Sequence, residues 1–203
     1  LAVSGSAAQA MLALTGWLVF RRARGRAPAP ALLGWALFAV NAWMPAMLLI
    51  ASPALGFGDW MDLLVRFAAL GPVRVSAAVT GLFVVGLLFK ATVETVGRLV
   101  GGGGAAARTE RARDVVSAVW LGCGLVAGAA GALSPAGLMP GVAIALGSSL
   151  GATWPILVAC RRVGERPVPG PPLDVRRSPF IITAAAVAAV LFVVLMGPGV
   201  RFD

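Results

Sequence analysis

Six long apolar runs, near residues 1–20, 31–51, 73–89, 115–133, 138–160 and 180–196, are separated by short connections that collect most of the charge. A helix of about 20 apolar residues is what crosses the roughly 30 Å hydrocarbon layer of a bilayer. In that layer the backbone must satisfy its own hydrogen bonds, which a helix does within one segment. Hydrophobic residues make up 59% of the chain and charged residues 12%, against roughly 25% charged in a soluble domain. The expected fold is therefore all-α: a polytopic membrane helix bundle of about six spans, forming one transmembrane domain over 1–203.

The net charge of +9 by itself would admit a nucleic-acid partner, but its distribution favours anionic lipid headgroups instead. Four arginines lie in 21–30, five basic residues in 90–114 and five arginines in 161–178, which are the first, third and fifth connections. The other side receives only Arg66, Arg74 and Arg201. Such alternation is the pattern of the positive-inside rule for six spans, and it predicts both ends of the chain on the non-cytoplasmic side. Abundant alanine, glycine and arginine with almost no lysine suggest a GC-rich bacterial genome, hence the inner membrane. The chain opens with leucine inside an apolar run that has no basic leader, as expected of a processed protein or one lacking upstream residues.

The connections have their own patterns. Residues 54–66 are punctuated by Gly56 and Gly58 and read as an interfacial loop with a short helix, with Trp60 as a headgroup-level anchor and Asp62 and Arg66 as an exposed pair. Pro72 opens the third span, and Lys90 is placed to snorkel at its end. Glu94 and Arg98, four apart, predict that this helix continues in water to Val100. Gly101 to Gly104 should act as a flexible break, followed by a polar connection over 108–114. The turn at Ser134-Pro135-Ala136-Gly137 makes spans four and five an antiparallel hairpin. Gly124 with Gly128, and Gly147 with Gly151, have the spacing that lets helix backbones approach closely. Pro155 should kink the end of span five, and four prolines from 167 to 172 predict an extended linker.

Few residues are suited to chemistry. The sequence has no histidine, which removes the commonest metal ligand and the usual neutral-pH acid–base group. Cys123 and Cys160 lie in separate apolar runs and read as buried thiols without a disulfide. The glycines at 101–104 are not followed by the lysine and hydroxyl residue of a phosphate loop. Ser4 has no base within its span, and Ser148, Ser149 and Thr153 are expected to bond back to their own helix. Two polar residues remain open to both structural and functional readings. Asn41 near the middle of span two suits an interhelical hydrogen bond or a cavity wall. Asp59 suits a turn at the bilayer edge or a carboxylate facing a site.

The order of several local patterns resembles the M50-like zinc metallopeptidases of bacterial membranes, relatives of the site-2 proteases. The resemblance is carried by Val40-Asn41-Ala42-Trp43-Met44-Pro45, by Phe57-Gly58-Asp59-Trp60, and by Gly71-Pro72-Val73-Arg74 with Gly81. It continues through the small-residue stretches 127–137 and 145–151, and the opening Ala2-Val3-Ser4-Gly5-Ser6-Ala7 is similar to the segment that follows the family's catalytic helix. About 160 residues are covered, through Cys160. The resemblance implies a membrane-anchored peptide substrate and a zinc ion, with Asp59 as the carboxylate ligand beside two imidazoles and a glutamate base from an HExxH segment. No such segment is present here, so zinc is implied only if one exists upstream, and the chain is expected to form the scaffold portion. Two other readings stand beside it: a small transporter with a polar midplane cavity near Asn41, and a structural subunit of a membrane assembly.

Overall fold

The computed structural model describes residues 4–56, 59–65, 70–165 and 179–196, and the regular structure among them is entirely helical. In chain order the elements are α1 (Ser4–Ala23), α2 (Pro28–Leu55), α3 (Asp59–Leu64), α4 (Leu70–Val100), α5 (Ala105–Ala132), α6 (Leu138–Leu146), a π-helical turn (Gly147–Gly151), α7 (Pro155–Val163) and α8 (Pro179–Met196). Four stretches are long and apolar enough to cross a membrane: Pro28–Leu55, Gly71–Val100, Ala105–Ala132, and Leu138–Val163, which joins α6 to α7. On the residues described, α1 and α8 fall outside that group.

Local chemistry sets the helix ends. Pro28 stands at the start of α2, where a missing N–H costs nothing, and Gly56 closes α2 in the left-handed conformation with its N–H on Ser52 O. Between α4 and α5 the chain turns through Gly101 and Gly103, with φ of 68° and 118°, values that a side chain would strain. At the end of α1, the Arg21 guanidinium lies 4.5 Å from the centre of the Trp17 ring, which holds the first cation of the basic connection against an aromatic face.

Two hairpins organise the bundle. In the first, α1 and α2 cross at Gly16 and Gly34: a Cβ on Gly16 would stand 2.5 Å from Phe38 N, and one on Gly34 2.6 Å from Phe20 N. In the second, α5 runs antiparallel to the helix made of α6, the π turn and α7. There Arg108 meets Val163, Ala112 meets Cys160, Trp120 meets Leu150 and Gly131 meets Gly141. The two hairpins join where α4 packs on both α2 and α7, and α8 packs on α5.

The best-buried core lies at one end of the bundle. Phe20, Trp35, Trp43, Val96, Leu99, Val116, Ile156 and Val163 meet there, where α1 ends, α2 begins, α4 ends and α5 begins. This corrects the expectation that α4 continues in water beyond residue 90. Glu94 is half-buried and Arg98 exposed, but Val93, Val96, Leu99 and Val100 are core residues, and the two charged residues form no ion pair with each other or with any of the described residues. Residues 108–114 are likewise not a loop but early turns of α5. Their apolar members, Ala112 and the succeeding Val116, complete the core at helical spacing. The short helix expected in 54–66 is present as α3, with Met61 and Leu64 buried.

The glycine expectation is met only in part. Leu150 and Leu146 side chains rest on Gly124 and Gly128, but a methyl group added to Gly147 or Gly151 would meet nothing within 4 Å. The close backbone approach of this hairpin is made instead by Gly131 and Gly141. Gly141 and Ala145 face α5, and at about 100° per residue Gly147 and Gly151 stand well to the side of that face; the helix also passes through a π turn at 147–151. Pro155 contributes to that irregularity because it brings no N–H to the carbonyls of the turn before it. One of these, Leu150 O, accepts instead from Trp120 Nε1 at 3.3 Å.

Candidate functional site

Three sets of polar contacts within the bundle bear on its function. In the first, two tryptophans of α2 reach across to two threonines of α4. Trp43 Nε1 donates to Thr92 Oγ1 at 3.0 Å, and Trp35 Nε1 donates to Thr95 Oγ1 at 3.2 Å. Thr95 donates its own hydroxyl hydrogen bond to Ala91 O at 2.7 Å. Trp35 and Thr92 are completely buried and Trp43 is 1% exposed, so water cannot replace either bond. Buried indole N–H groups need a partner, and these two bonds fix the register of α2 against α4.

The second set caps helix C-termini. Arg108, only 4% exposed, donates through Nη2 to Val163 O at 3.1 Å and to Gly164 O. Arg111 donates through Nε to Val100 O at 3.1 Å and through Nη2 to Gly102 O at 2.5 Å. Both place a cation where a helix leaves unpaired carbonyls and the negative end of its dipole. The glycine segment expected to be a free break is therefore strapped to α5 by Arg111.

Hydroxyls of the fifth span make up the third set. Ser148 and Ser149 donate to Ala145 O at 3.2 and 2.6 Å, and Thr153 donates to Ser149 O at 2.5 Å. These are the back-bonds expected from the sequence, and they leave the hydroxyls occupied.

The individual candidates stand as follows. Among the described residues Asn41 bridges no helices; its Nδ2 donates to Leu37 O of the same helix at 2.9 Å, as an amide does when the carbonyl four residues back is within reach. Asp59 is the first residue of α3, but its side chain lies outside the described residues, as do the side chain of Ser4 and the Asp62–Arg66 pair. The linker residues 166–178 and both chain ends also lie outside. Trp60, expected as a headgroup anchor, has its indole nitrogen buried with no partner among the described residues. Both cysteines are free: Cys123 is half-buried, and Cys160 is buried with its S–H on Ala112 O and Ile156 O.

A resident zinc ion does not fit this donor set. The sequence has no histidine, and no group of three His, Cys, Asp or Glu side chains comes together among the described residues. An apolar groove runs between α5 and the α6–π segment, with a volume of about 280 Å³ and a lining that includes Leu121, Gly124, Gly128, Leu146 and Leu150. No family model, curated protein or solved structure matches this chain.

The Trp–Thr pairs and the arginine caps were not expected from the sequence. A signal existed for the first: Trp35 and Trp43, and Thr92 and Thr95, recur at near-whole-turn spacing within their own helices. The caps carried no comparable signal, because the ends of α4 and α7 approach Arg108 and Arg111 only in the folded bundle.

Proposed function

We propose that this chain is a non-catalytic, membrane-embedded scaffold of the bacterial inner membrane, with six spans, the arginine-rich connections in the cytoplasm and both chain ends outside. The observation that carries the reading is that the buried tryptophans of α2 and the arginines Arg108 and Arg111 are committed to helix packing. The Trp–Thr bonds join α2 to α4, and Arg108 and Arg111 close α7 and α4. Much of what the helices turn outward is apolar, with Met11, Val75, Phe83, Leu125 and Ile144 all largely exposed. Such a surface suits lipid and neighbouring spans.

The M50-like resemblance specifies what the scaffold would serve. In that reading the substrate is a membrane-anchored peptide, Asp59 offers a carboxylate to zinc, and both imidazoles and the general base come from a segment outside 1–203. This chain's own part in that reading is to hold the surrounding spans in place.

Sequencing the source gene and measuring the mass of the intact polypeptide test this. A further apolar helix carrying HExxH, together with stoichiometric zinc that Asp59→Ala releases, is the expected result for the protease scaffold. An intact polypeptide without HExxH removes the protease reading and leaves a structural subunit.

A further inference from the structure

Resting on the membrane reading, we propose that the outward face of α4 is the contact surface of a homodimer, in which α4 of one copy lies parallel to α4 of a second. Lys90 and Arg98 of each copy pair with Glu94 of the other, beside a close approach of the two backbones at Gly86.

α4 is the least covered of the four long apolar stretches. It packs chiefly on α2 and α7, and 6% of the residues in its most apolar part are buried, against 22% to 33% in the other three. Along the uncovered side Val79, Phe83, Gly86, Lys90, Glu94 and Arg98 succeed one another by three or four residues and so share a face. All are exposed except Glu94, which is half-buried, and the face runs about 28 Å along one unbroken helix. A Cβ added to Gly86 would meet nothing within 4 Å, so the backbone there is open to another helix.

Charge selects a second copy as the occupant. Lys90, Glu94 and Arg98 put a cation, a carboxylate and a cation at successive turns of this face, about 6 Å apart along the axis. Among the described residues the only ion pair joins Arg162 to Glu165. All three charges therefore stand unpaired there, although each cation is four residues from Glu94, a spacing at which a helix can pair them. Lipid hydrocarbon offers the carboxylate no partner, and an anionic headgroup drawn to Lys90 and Arg98 is repelled by the Glu94 between them. Another copy of α4 supplies both signs at the matching pitch. The basic connections orient every copy the same way across the membrane, so a symmetric pair has its two-fold axis along the membrane normal and its α4 helices parallel, with like residues level. Each Glu94 then lies about one turn from Lys90 and one turn from Arg98 of the other copy, within reach of those long side chains. The pattern is self-complementary, as an isologous interface requires, and it sets the register of the apolar contact made by Val79 and Phe83.

The test is energy transfer between donor- and acceptor-labelled copies of the full chain in phosphatidylcholine vesicles, titrated over the protein-to-lipid ratio. The dyes are carried by Ala106→Cys in a background lacking Cys123 and Cys160. A saturable dimer is expected. Glu94→Gln should weaken it by about ten-fold, roughly what two symmetry-related exposed ion pairs supply together. Gly86→Leu should weaken it at least as much without changing the unfolding of a single copy in micelles, since the added side chain meets nothing in its own chain. Copies carrying Glu94→Arg, and copies carrying Lys90→Glu with Arg98→Glu, should each fail to self-associate yet pair with one another when mixed, which separates lost complementarity from lost folding. Alkaline carbonate reports whether the chain is in the membrane at all, and release by it removes the membrane reading and the dimer together. In a chain that resists carbonate, monomers at every ratio overturn the dimer alone, as does a dimer indifferent to both Glu94→Gln and Gly86→Leu, or mixed charge variants that stay apart.

Discussion

Replacing Thr92 with valine removes the acceptor of the Trp43 indole N–H while nearly preserving side-chain shape. The donor and acceptor are 3.0 Å apart, Thr92 is completely buried and Trp43 is 1% exposed, so no water can take the vacated position. A buried donor left without a partner costs about 1–3 kcal/mol. Hydrogen bonds between membrane helices measure lower, about 0.6 kcal/mol on average and up to about 1.7, because the unfolded chain in a micelle also finds partners. Thr92→Val should therefore destabilise the bundle by about 1–2 kcal/mol. Trp43→Phe should cost more, since it also leaves a gap. In a double-mutant cycle the doubly substituted protein should be about 1 kcal/mol more stable than the sum of the single losses implies. The assay is reversible unfolding in mixed micelles, followed by far-UV circular dichroism so that loss of a tryptophan does not disturb the signal. Thr80, which is exposed and bonded to Ser76 O of its own helix, provides the control pair with Trp43 and should show no coupling. A coupling near zero between Trp43 and Thr92 would refute the claim that their bond holds α2 to α4.

Further outcomes follow from the packing. Gly16→Ala and Gly34→Ala set a methyl group against backbone across the α1–α2 crossing and should each cost about 1–3 kcal/mol in the same unfolding assay, whereas Gly147→Ala and Gly151→Ala should be tolerated. Arg108→Met leaves the carbonyls of Val163 and Gly164 without their donor, and hydrogen exchange at the end of α7 should accelerate by at least about ten-fold. Cys160, buried beside Ala112, should resist maleimide in the folded protein and label at the rate of unfolding, faster in Arg108→Met. Arg111→Ala releases the strap on Gly102 and should make residues 101–104 the first site of proteolytic cleavage.

Over their described residues all six apolar runs of the sequence form helices, because run length and composition are local properties that hydrocarbon reads directly. Boundaries were less legible where polar residues share a helix with core residues. Glu94, Arg98 and the 108–114 charges marked their segments as water-facing, yet Val93, Val96, Leu99 and Ala112 on the other sides of the same turns form the core. Gly147 and Gly151 have the right spacing, but spacing does not say which face a pair presents, and Gly141 and Ala145 are the residues that turn toward α5. Gly16 and Gly34, the actual crossing of the first hairpin, are single glycines without a repeat to announce them. For the candidate site, the back-bonded hydroxyls of span five were legible because their acceptors lie one turn away. Arg108 and its acceptor Val163 O are separated by 55 residues in sequence, and no local pattern encodes such a pairing.

Topology is the most direct test of a multi-span bundle whose basic connections share one side. Single cysteines placed at Gly25, Gly103 and Ala136 in a background lacking Cys123 and Cys160 can be challenged with a membrane-impermeant maleimide in sealed inner-membrane vesicles of known orientation. Residues 25 and 103 should label only from the cytoplasmic face and residue 136 only from the other. Labelling of all three from one face, or release of the protein by alkaline carbonate, would contradict a bundle that crosses the membrane.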